Sequence, residues 1–283
     1  MNHQKVPKRA QFYLIGVLLV GFISLCLWTF VIEPSSLFVR EYKLNIANWP
    51  ASMNGLKVAV ITDLHAGSLY VGPGKVRQVV EETNKANPDV VVLLGDYVAS
   101  VHKYCPIKPA AFMPELAKLK ARYGVYAVLG NHDWWYNGDE IFDAMTAEHL
   151  KVLENSASEI NIGKERLWIA GLADKWTRIP SVDKALKQIP EGDPILVITH
   201  NPDVFPSIPK RVSLTMAGHT HGGQVAIPGI GPLFVPSAYG TKYARGHIVE
   251  DGRHLFVSTG IGTTFLPARL CTPPEISLLI LSQ

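Results

Sequence analysis

The chain has 283 residues, 47% hydrophobic and 18% charged, with a formal net charge of +3. That is enough apolar material for one large core, and the charge is too near neutrality for a nucleic-acid surface, so no nucleic-acid partner is expected. Three cysteines, Cys26, Cys105 and Cys271, lack zinc-type spacing and are too few for a disulfide framework, leaving a single Cys105–Cys271 bridge open.

Residues 1–11 form a basic N-terminus carrying Lys5, Lys8 and Arg9 and no acid. Those three charges equal the whole net excess, so the basicity is a topology signal. Phe12–Ile32 follows, 21 residues without a charge. At about 1.5 Å per residue this crosses a bilayer core of about 30 Å. A cleaved signal peptide would share the basic start, but its apolar run would be shorter and would end in a small-residue cleavage site. A retained single-pass anchor in the inner or cell membrane is expected. The positive flank puts residues 1–11 in the cytoplasm and the remainder on the periplasmic or extracytoplasmic side. Residues 33–55 read as a tether, and 56–283 as one globular domain.

Beyond the tether, short runs rich in Val, Ile, Leu and Ala read as buried strands. Leu56–Thr62 leads into Asp63-Leu64-His65. Pro73–Asn87 has helical spacing, with Val76, Val79, Val80 and Thr83 on one face. Val90–Leu94 leads into Gly95-Asp96, and Ala110–Ala121 reads as a helix. Val125–Leu129 leads into Gly130-Asn131-His132-Asp133, with a helix expected over Asp139–His149. Ile195–Thr199 precedes His200, and Val212–Ala217 precedes Gly218-His219-Thr220-His221. Gly, Pro and aromatic residues then dominate to Tyr243. A hairpin over Gly246–Thr259 turns at Glu250-Asp251-Gly252, and Glu275–Leu281 is a last strand. The alternation implies an α/β fold around a largely parallel core.

In open α/β sheets, ligands sit beyond the carboxyl ends of the strands. Five strand ends would therefore bring Asp, His and Asn side chains to one rim. Asp63 and His65, two apart on an extended segment, would point the same way, as would His219 and His221. Asp96 has two oxygens able to bridge cations, and Gly95 lets the backbone approach closely. Asn131 offers a neutral oxygen to a hard metal, while the adjacent His132 can reach a substrate. Singly, each motif has a bland reading as a turn, a helix cap or a structural histidine. Five in succession, each at a strand end, indicate a metal site.

This order of motifs resembles the calcineurin-like metallophosphoesterase family. The wording Asp63-Leu-His65-Ala-Gly67, Gly95-Asp96-Tyr97-Val98 and the stretch from Pro267 to Glu275 are similar to its membrane-anchored bacterial branch. The resemblance covers about residues 40–283. It implies a four-layer αββα sandwich, two central sheets flanked by helices. It also implies two divalent metal ions, with the mixed nitrogen and oxygen donors suiting Mn, Fe or Zn. One ion would take Asp63, His65, Asp96 and His221, the other Asp96, Asn131, His200 and His219, with Asp96 bridging. The implied reaction is hydrolysis of a phosphodiester or diphosphate by water activated between ions roughly 3.5–4 Å apart. His132 would protonate the leaving oxygen or stabilise its charge, with Asp133 orienting it or capping a helix instead.

A phosphomonoesterase, a phosphoprotein phosphatase and a non-enzymatic metal-binding scaffold stand as alternatives. Many family members carry a further acid just after Gly-Asp, where this chain has Tyr97-Val98-Ala99-Ser100. That departure argues against the protein phosphatases. Trp134, Trp135 and Tyr136 could stack a base, meet a lipid interface or pack in the core. Arg245, His247 and Arg269 could hold a second phosphate. The candidate esters include lipid-linked diphosphates, nucleotides, and teichoic-acid-like or head-group diesters.

Overall fold

In the strand Leu56–Ile61, Val58 and Val60 point into one apolar cluster while Ala59 and Ile61 point into another. The next parallel strand repeats the division, with Val90 and Val92 on one side and Val91 and Leu93 on the other. Successive strand residues face opposite sides of a sheet, so an unbroken apolar run means a sheet covered on both faces. The computed structural model describes residues 8–100 and 107–283. Lys5 and Cys105, and with Cys105 the Cys105–Cys271 pairing, lie outside them.

In chain order the first elements are α1 (Lys8–Leu27), a π-helical turn (Trp28–Ile32), α2 (Glu33–Ser35), β1 (Phe38–Asn45), β2 (Leu56–Ile61), α3 (Pro73–Lys85) and β3 (Val90–Leu93). There follow α4 (Met113–Leu116), β4 (Val125–Ala127), α5 (Asn131–Ala147), β5 (Lys151–Val152), β6 (Ser156–Ile162), β7 (Glu165–Gly171), α6 (Val182–Leu186), β8 (Ile195–Ile198) and β9 (Leu214–Ala217). The last are the short pair β10 (Ala226–Ile227) and β11 (Gly231–Pro232), then β12 (Gly246–Glu250), β13 (Arg253–Val257) and β14 (Glu275–Ser282).

One sheet has the order β1-β14-β2-β3-β4-β5, the other β12-β13-β9-β8-β7-β6. Their facing sides share a core that includes Val58, Val92, Ile169, Leu196, Met216 and Phe256. The outer face of the first sheet packs on α3, α4 and α5 through Val76, Val80, Leu116 and Ile141. The outer face of the second packs on α6 and a 3₁₀ turn through Leu186, Val204 and Phe205. The result is the mixed α/β sandwich of four layers that the family resemblance implied. The strands around the site are parallel, so β2, β3 and β4 end on one side of their sheet and β8 and β9 end together in theirs.

Two local expectations are corrected. Residues 33–55 are not simply a tether: Phe38–Asn45 is an edge strand pairing in parallel with β14, from Phe38 opposite Glu275 to Asn45 opposite Ser282. Its charged residues Arg40, Glu41 and Lys43 and its largely exposed side chains hide a strand pattern, and its partner lies at the far end of the chain. The helix expected over Ala110–Ala121 is a 3₁₀ turn (Pro109–Ala111) and the single turn α4. Phe112, Met113, Leu116 and Leu119 are buried as the spacing implies, but Pro109 and Pro114 each remove an N–H and permit only short pieces.

The helical run from Lys8 to Ser35 is long and apolar enough to cross a membrane, judged by length and composition. Its apolar side chains are exposed through Leu27. Its far end is bonded to the globular part. Glu33 accepts from the Trp28 indole at 2.6 Å and from the Thr272 amide at 2.7 Å. The Arg269 amide donates to the Thr29 carbonyl at 2.9 Å.

Candidate metal centre

Every strand that precedes a motif stops one to three residues short of the first candidate ligand. Asp63 and His65 therefore lie in a turn after β2, and His219 and His221 in a turn after β9. Simple strand alternation does not aim them. Asp63, His65, Asp96, His219 and His221 instead adopt left-handed backbone geometry, with φ between 46° and 70°. Such conformations are costly for side-chain-bearing residues and are concentrated at functional sites. Hydrogen bonds between neighbouring turns hold them: the Asp63 amide donates to the Gly95 carbonyl at 3.0 Å and the His65 amide to the Asp96 carbonyl at 2.9 Å. Gly95, at φ 94°, presses on Gly130, where any Cβ would collide with the Gly130 backbone.

These turns bring together all seven candidate ligands, each buried. His65 Nε2 lies 3.1 Å from His221 Nε2 and 3.6 Å from Asp96 Oδ2. His221 Nε2 lies 3.3 Å from Asp63 Oδ1. On the other side of Asp96, His200 Nε2 lies 3.3 Å from Asp96 Oδ2, 3.1 Å from Asn131 Oδ1 and 3.2 Å from His219 Nδ1. Asp96 thus lies between two donor groups, Asp63–His65–His221 and His200–His219 with Asn131. His200 Nδ1 donates to the Leu94 carbonyl at 2.8 Å, which aims its Nε2 at Asp96.

Burial sets the charges. It drives His65 and His219 down to about 3, helped by His132 at the first and His200 at the second. His221 falls well below its ordinary value through burial and the neighbouring His65. Burial also depresses His200, but Asp96 outweighs it and raises the ring to about 10. The same pairing, with help from His132, overcomes burial at Asp96 and holds it well below the usual carboxylate range. Asp63 rises to about 6, mainly through burial.

This donor set fits divalent cations. Three imidazoles are held neutral, the form in which nitrogen can ligate, and Asp96 is anionic. Buried Asp63 Oδ1 and His219 Nε2 have no hydrogen-bond partner, and such orphaned atoms call for an explanation. Within each of the groups Asp63–His65–His221 and Asp96–His200–His219, the possible ligand atoms lie within 4.8 Å of one another. His132 forms a similar group with His65 and Asp96, but its Nδ1 donates to the Ser100 carbonyl at 2.8 Å.

Residues 56–223 match the model of the calcineurin-like phosphoesterase family. The chain belongs to that family. It is 28% identical over 255 residues to the uncharacterized metallophosphoesterase YkuE of Bacillus subtilis, covering 89% of this chain and 88% of that one. A transmembrane protein with metallophosphoesterase domain from Danio rerio is 30% identical over 87% of this chain, which spans only 57% of that longer protein. Phosphodiesterase YaeI of Escherichia coli is 28% identical over 79% of this chain and 81% of its own length. Family membership makes the chain a metallophosphoesterase, a class of phosphoric ester hydrolases.

Of the two readings of Asp133, the structure shows the cap and not the partner of His132. Its carboxylate does not touch the His132 ring. It accepts from the backbone N–H groups of Asp96 and Gly130 on one oxygen, at 2.8 and 2.9 Å, and of Tyr97 and Val98 on the other, at 2.8 and 3.3 Å. Burial and the Asp96 charge push this carboxyl up to about 7, while four N–H donors occupying both oxygens favour the anion. Asp133 is the cap and clamp that joins the Gly95-Asp96 turn to the start of α5. His132 is oriented by Ser100, a residue that carries no signal in the motif.

Arg245, His247 and Arg269 do not form a phosphate subsite. Arg269 is fully buried and donates to the carbonyls of Gly262, Thr272 and Thr259 at 2.6, 2.6 and 3.0 Å, with His221 Nδ1 at 3.5 Å. Gly262 in turn donates to the Asp63 carbonyl at 2.6 Å. Arg245 donates to the Cys271 carbonyl, and His247 stacks on His254. In the aromatic cluster, Trp134 packs under Arg178 and Tyr136 bonds Glu140, leaving Trp135 alone in the site. Trp176, edge-on to His219 at 4.3 Å, joins Trp135 there. The sequence held no sign of Trp176, since it follows an ordinary loop.

Proposed function

We propose that this chain is a membrane-anchored, binuclear-metal phosphodiesterase or pyrophosphatase. The observation that carries the reading is the placement of Asp96 between two groups of buried, mostly neutral donors. Asp63, His65, Asp96 and His221 would hold one ion and Asp96, Asn131, His200 and His219 the other. When bound, two divalent ions supply Lewis-acid charge for a phosphoryl group and lower the pKa of a water beside it. The protein's own work is then positional. Buried turns fix the donors, and the closed surroundings strengthen each charge–charge contact. With Nδ1 committed to Ser100, the His132 ring has Nε2 left to carry a proton to the departing oxygen. The name of the YaeI relative supports a diester over a monoester. Phe12–Ile32 would span the membrane, and the globular part, from about Phe38 onward, would lie on the extracytoplasmic side. Protease shaving of spheroplasts tests that side, because a protected globular part would reverse the assignment.

The activity test uses the full chain, stripped of metal and reloaded with Mn²⁺, on bis-p-nitrophenyl phosphate and p-nitrophenyl phosphate. Diester cleavage should require the metal and fall by about 10²–10⁴-fold in His132→Ala. Asp96→Ala and Asn131→Ala should abolish turnover and weaken metal loading. Retained activity in a folded Asp96→Ala protein would falsify the site, and preference for the monoester would turn the assignment to a phosphatase. Two bound ions with no turnover of either ester would favour the scaffold.

A further inference from the structure

A cavity of about 440 Å³ opens over the donor cluster. Asp96, Asn131 and His132 form its buried end. Its outer wall is apolar, formed by Trp135, Trp176, Leu233, Phe234, Phe265 and Leu266. Several of these face water: Phe265 is 95% exposed, Phe234 72% and Leu233 61%. Ile230, at the tip of the β10–β11 hairpin, is 75% exposed. A contiguous apolar rim on a catalytic cavity marks an interaction surface, because a soluble substrate would leave it in water at a cost.

The rim's attachments indicate what covers it. Gln224, in the cavity wall, accepts from the Thr264 amide at 2.7 Å and donates to the carbonyls of Leu266 and Ala268 at 2.9 and 3.3 Å. The next residue, Arg269, donates its amide to Thr29, at the end of the apolar helical run. On another side, Tyr70 bonds the Phe30 carbonyl, beside exposed Leu69. The rim therefore sits a few residues from the point where the chain would leave the bilayer. Aromatic and aliphatic tips at that depth belong in the interface.

We infer that the rim formed by residues 230–234 and 264–266 dips into the membrane that α1 crosses, and that the substrate is a phosphate ester of a membrane lipid. Its hydrocarbon chain lies along the apolar wall while its phosphoryl group reaches the donor cluster. The inference rests on the hydrolase reading above and names that site's substrate class. In the reaction a water oxygen bonds to phosphorus, the P–O bond to the departing alcohol breaks, and the departing oxygen takes a proton. The chain-bearing phosphate is released into the bilayer.

Two measurements on the full chain in lipid nanodiscs test this. The first loads Mn²⁺ and compares kcat/KM for p-nitrophenyl n-alkyl phosphates from methyl to dodecyl. Each fully buried methylene is worth roughly fourfold, so even partial burial predicts a rise of about 100-fold across the series. Partitioning into the disc raises the rates of all proteins alike, so the control is the total rise in Phe234→Asp/Phe265→Asp, which should be at least about tenfold smaller. A flat series with the methyl ester cleaved, or equal slopes in both proteins, overturns the lipid assignment and leaves the hydrolase reading standing. Failure to cleave any ester counts against the hydrolase reading. The second measurement needs no turnover: p-benzoylphenylalanine replaces Phe265, or Val249 as a control on β12, and the disc is illuminated. Lipid adducts at 265 but not at 249 are expected. Their absence at 265 overturns the inference whether or not any ester is cleaved.

Discussion

Asp96 faces His200 at 3.3 Å deep in the site, and its charge holds the proton on the ring, with His200 raised to about 10 and Asp96 held low. A divalent ion that takes both as ligands must displace that proton. The sign follows directly. Below about 10 the free site holds the proton and the loaded site does not, so metal affinity rises with pH by about tenfold per unit. His65, His219 and His221 add nothing to this slope near neutrality, because burial already keeps them unprotonated there. Mn²⁺ titrations of the stripped protein between about pH 7 and pH 9 should show the rise. Calorimetry in buffers of different ionisation enthalpy should count about one proton released per loaded two-ion centre. An affinity independent of pH over that range would show that His200 is not a ligand. At this scale the residue types were legible in the sequence, since Asp, His and Asn in five blocks allow few other chemistries. Their left-handed geometry was not, because the two-residue spacing of Asp63–His65 and His219–His221 also fits a strand.

Between residues and fold, the junction of β3, β4 and α5 is the element on which the site depends. Asp133 closes it by accepting four backbone N–H groups from two segments. Asp133→Asn would turn an amide N–H₂ toward those donors and remove the charge that attracts them. Hydrogen bonds to a buried charge are worth about 1.5–3 kcal/mol each, and partial relaxation leaves an expected loss of about 3 kcal/mol. Thermal melting of the full chain should therefore fall by roughly 6–12 °C, at about 2–4 °C per kcal/mol for a domain of this size. Unchanged melting would mean that water or backbone rearrangement replaces the carboxylate. The sequence announced this junction only as a motif. Gly130-Asn131-His132-Asp133 reads as four consecutive site residues, yet Asn131 and His132 line the cavity while Asp133 supplies architecture. Strand ends were legible because each apolar run stops abruptly at a polar block. Edge strand β1 was not, because its charges face solvent and its pairing with β14 depends on the closure of the whole chain.

At the scale of the molecule, the apolar helix and the globular part are joined by bonds across the stretch that reads in sequence as a tether. Glu33 is buried, and its two oxygens accept from Trp28 on its own segment and from Thr272 on the loop that follows Arg269. Lys75, from the first turn of α3, donates to the carbonyls of Ser35 and Ser36 at 2.8 and 3.0 Å. These contacts fix the direction in which the cavity faces relative to the helix, and a flexible linker would let it tumble. The loop that Glu33 grips also carries Arg269, whose guanidinium lies against His221 and the backbone around Gly262. One polar side chain therefore ties the apolar helix to the segment that supports the donors. Glu33→Ala removes the acceptor for the Thr272 amide and leaves a buried N–H unpaired, at a local cost of about 1–3 kcal/mol. Hydrogen exchange across residues 268–274 should accelerate by about tenfold or more, since each 1.4 kcal/mol of lost protection is a factor of ten. Exchange in β2 and β3, in the centre of their sheet, should stay as slow as in the parent protein. Equal protection of residues 268–274 in both proteins would mean that the junction is held by the Arg269–Thr29 bond and the surrounding packing, and that Glu33 is a bystander.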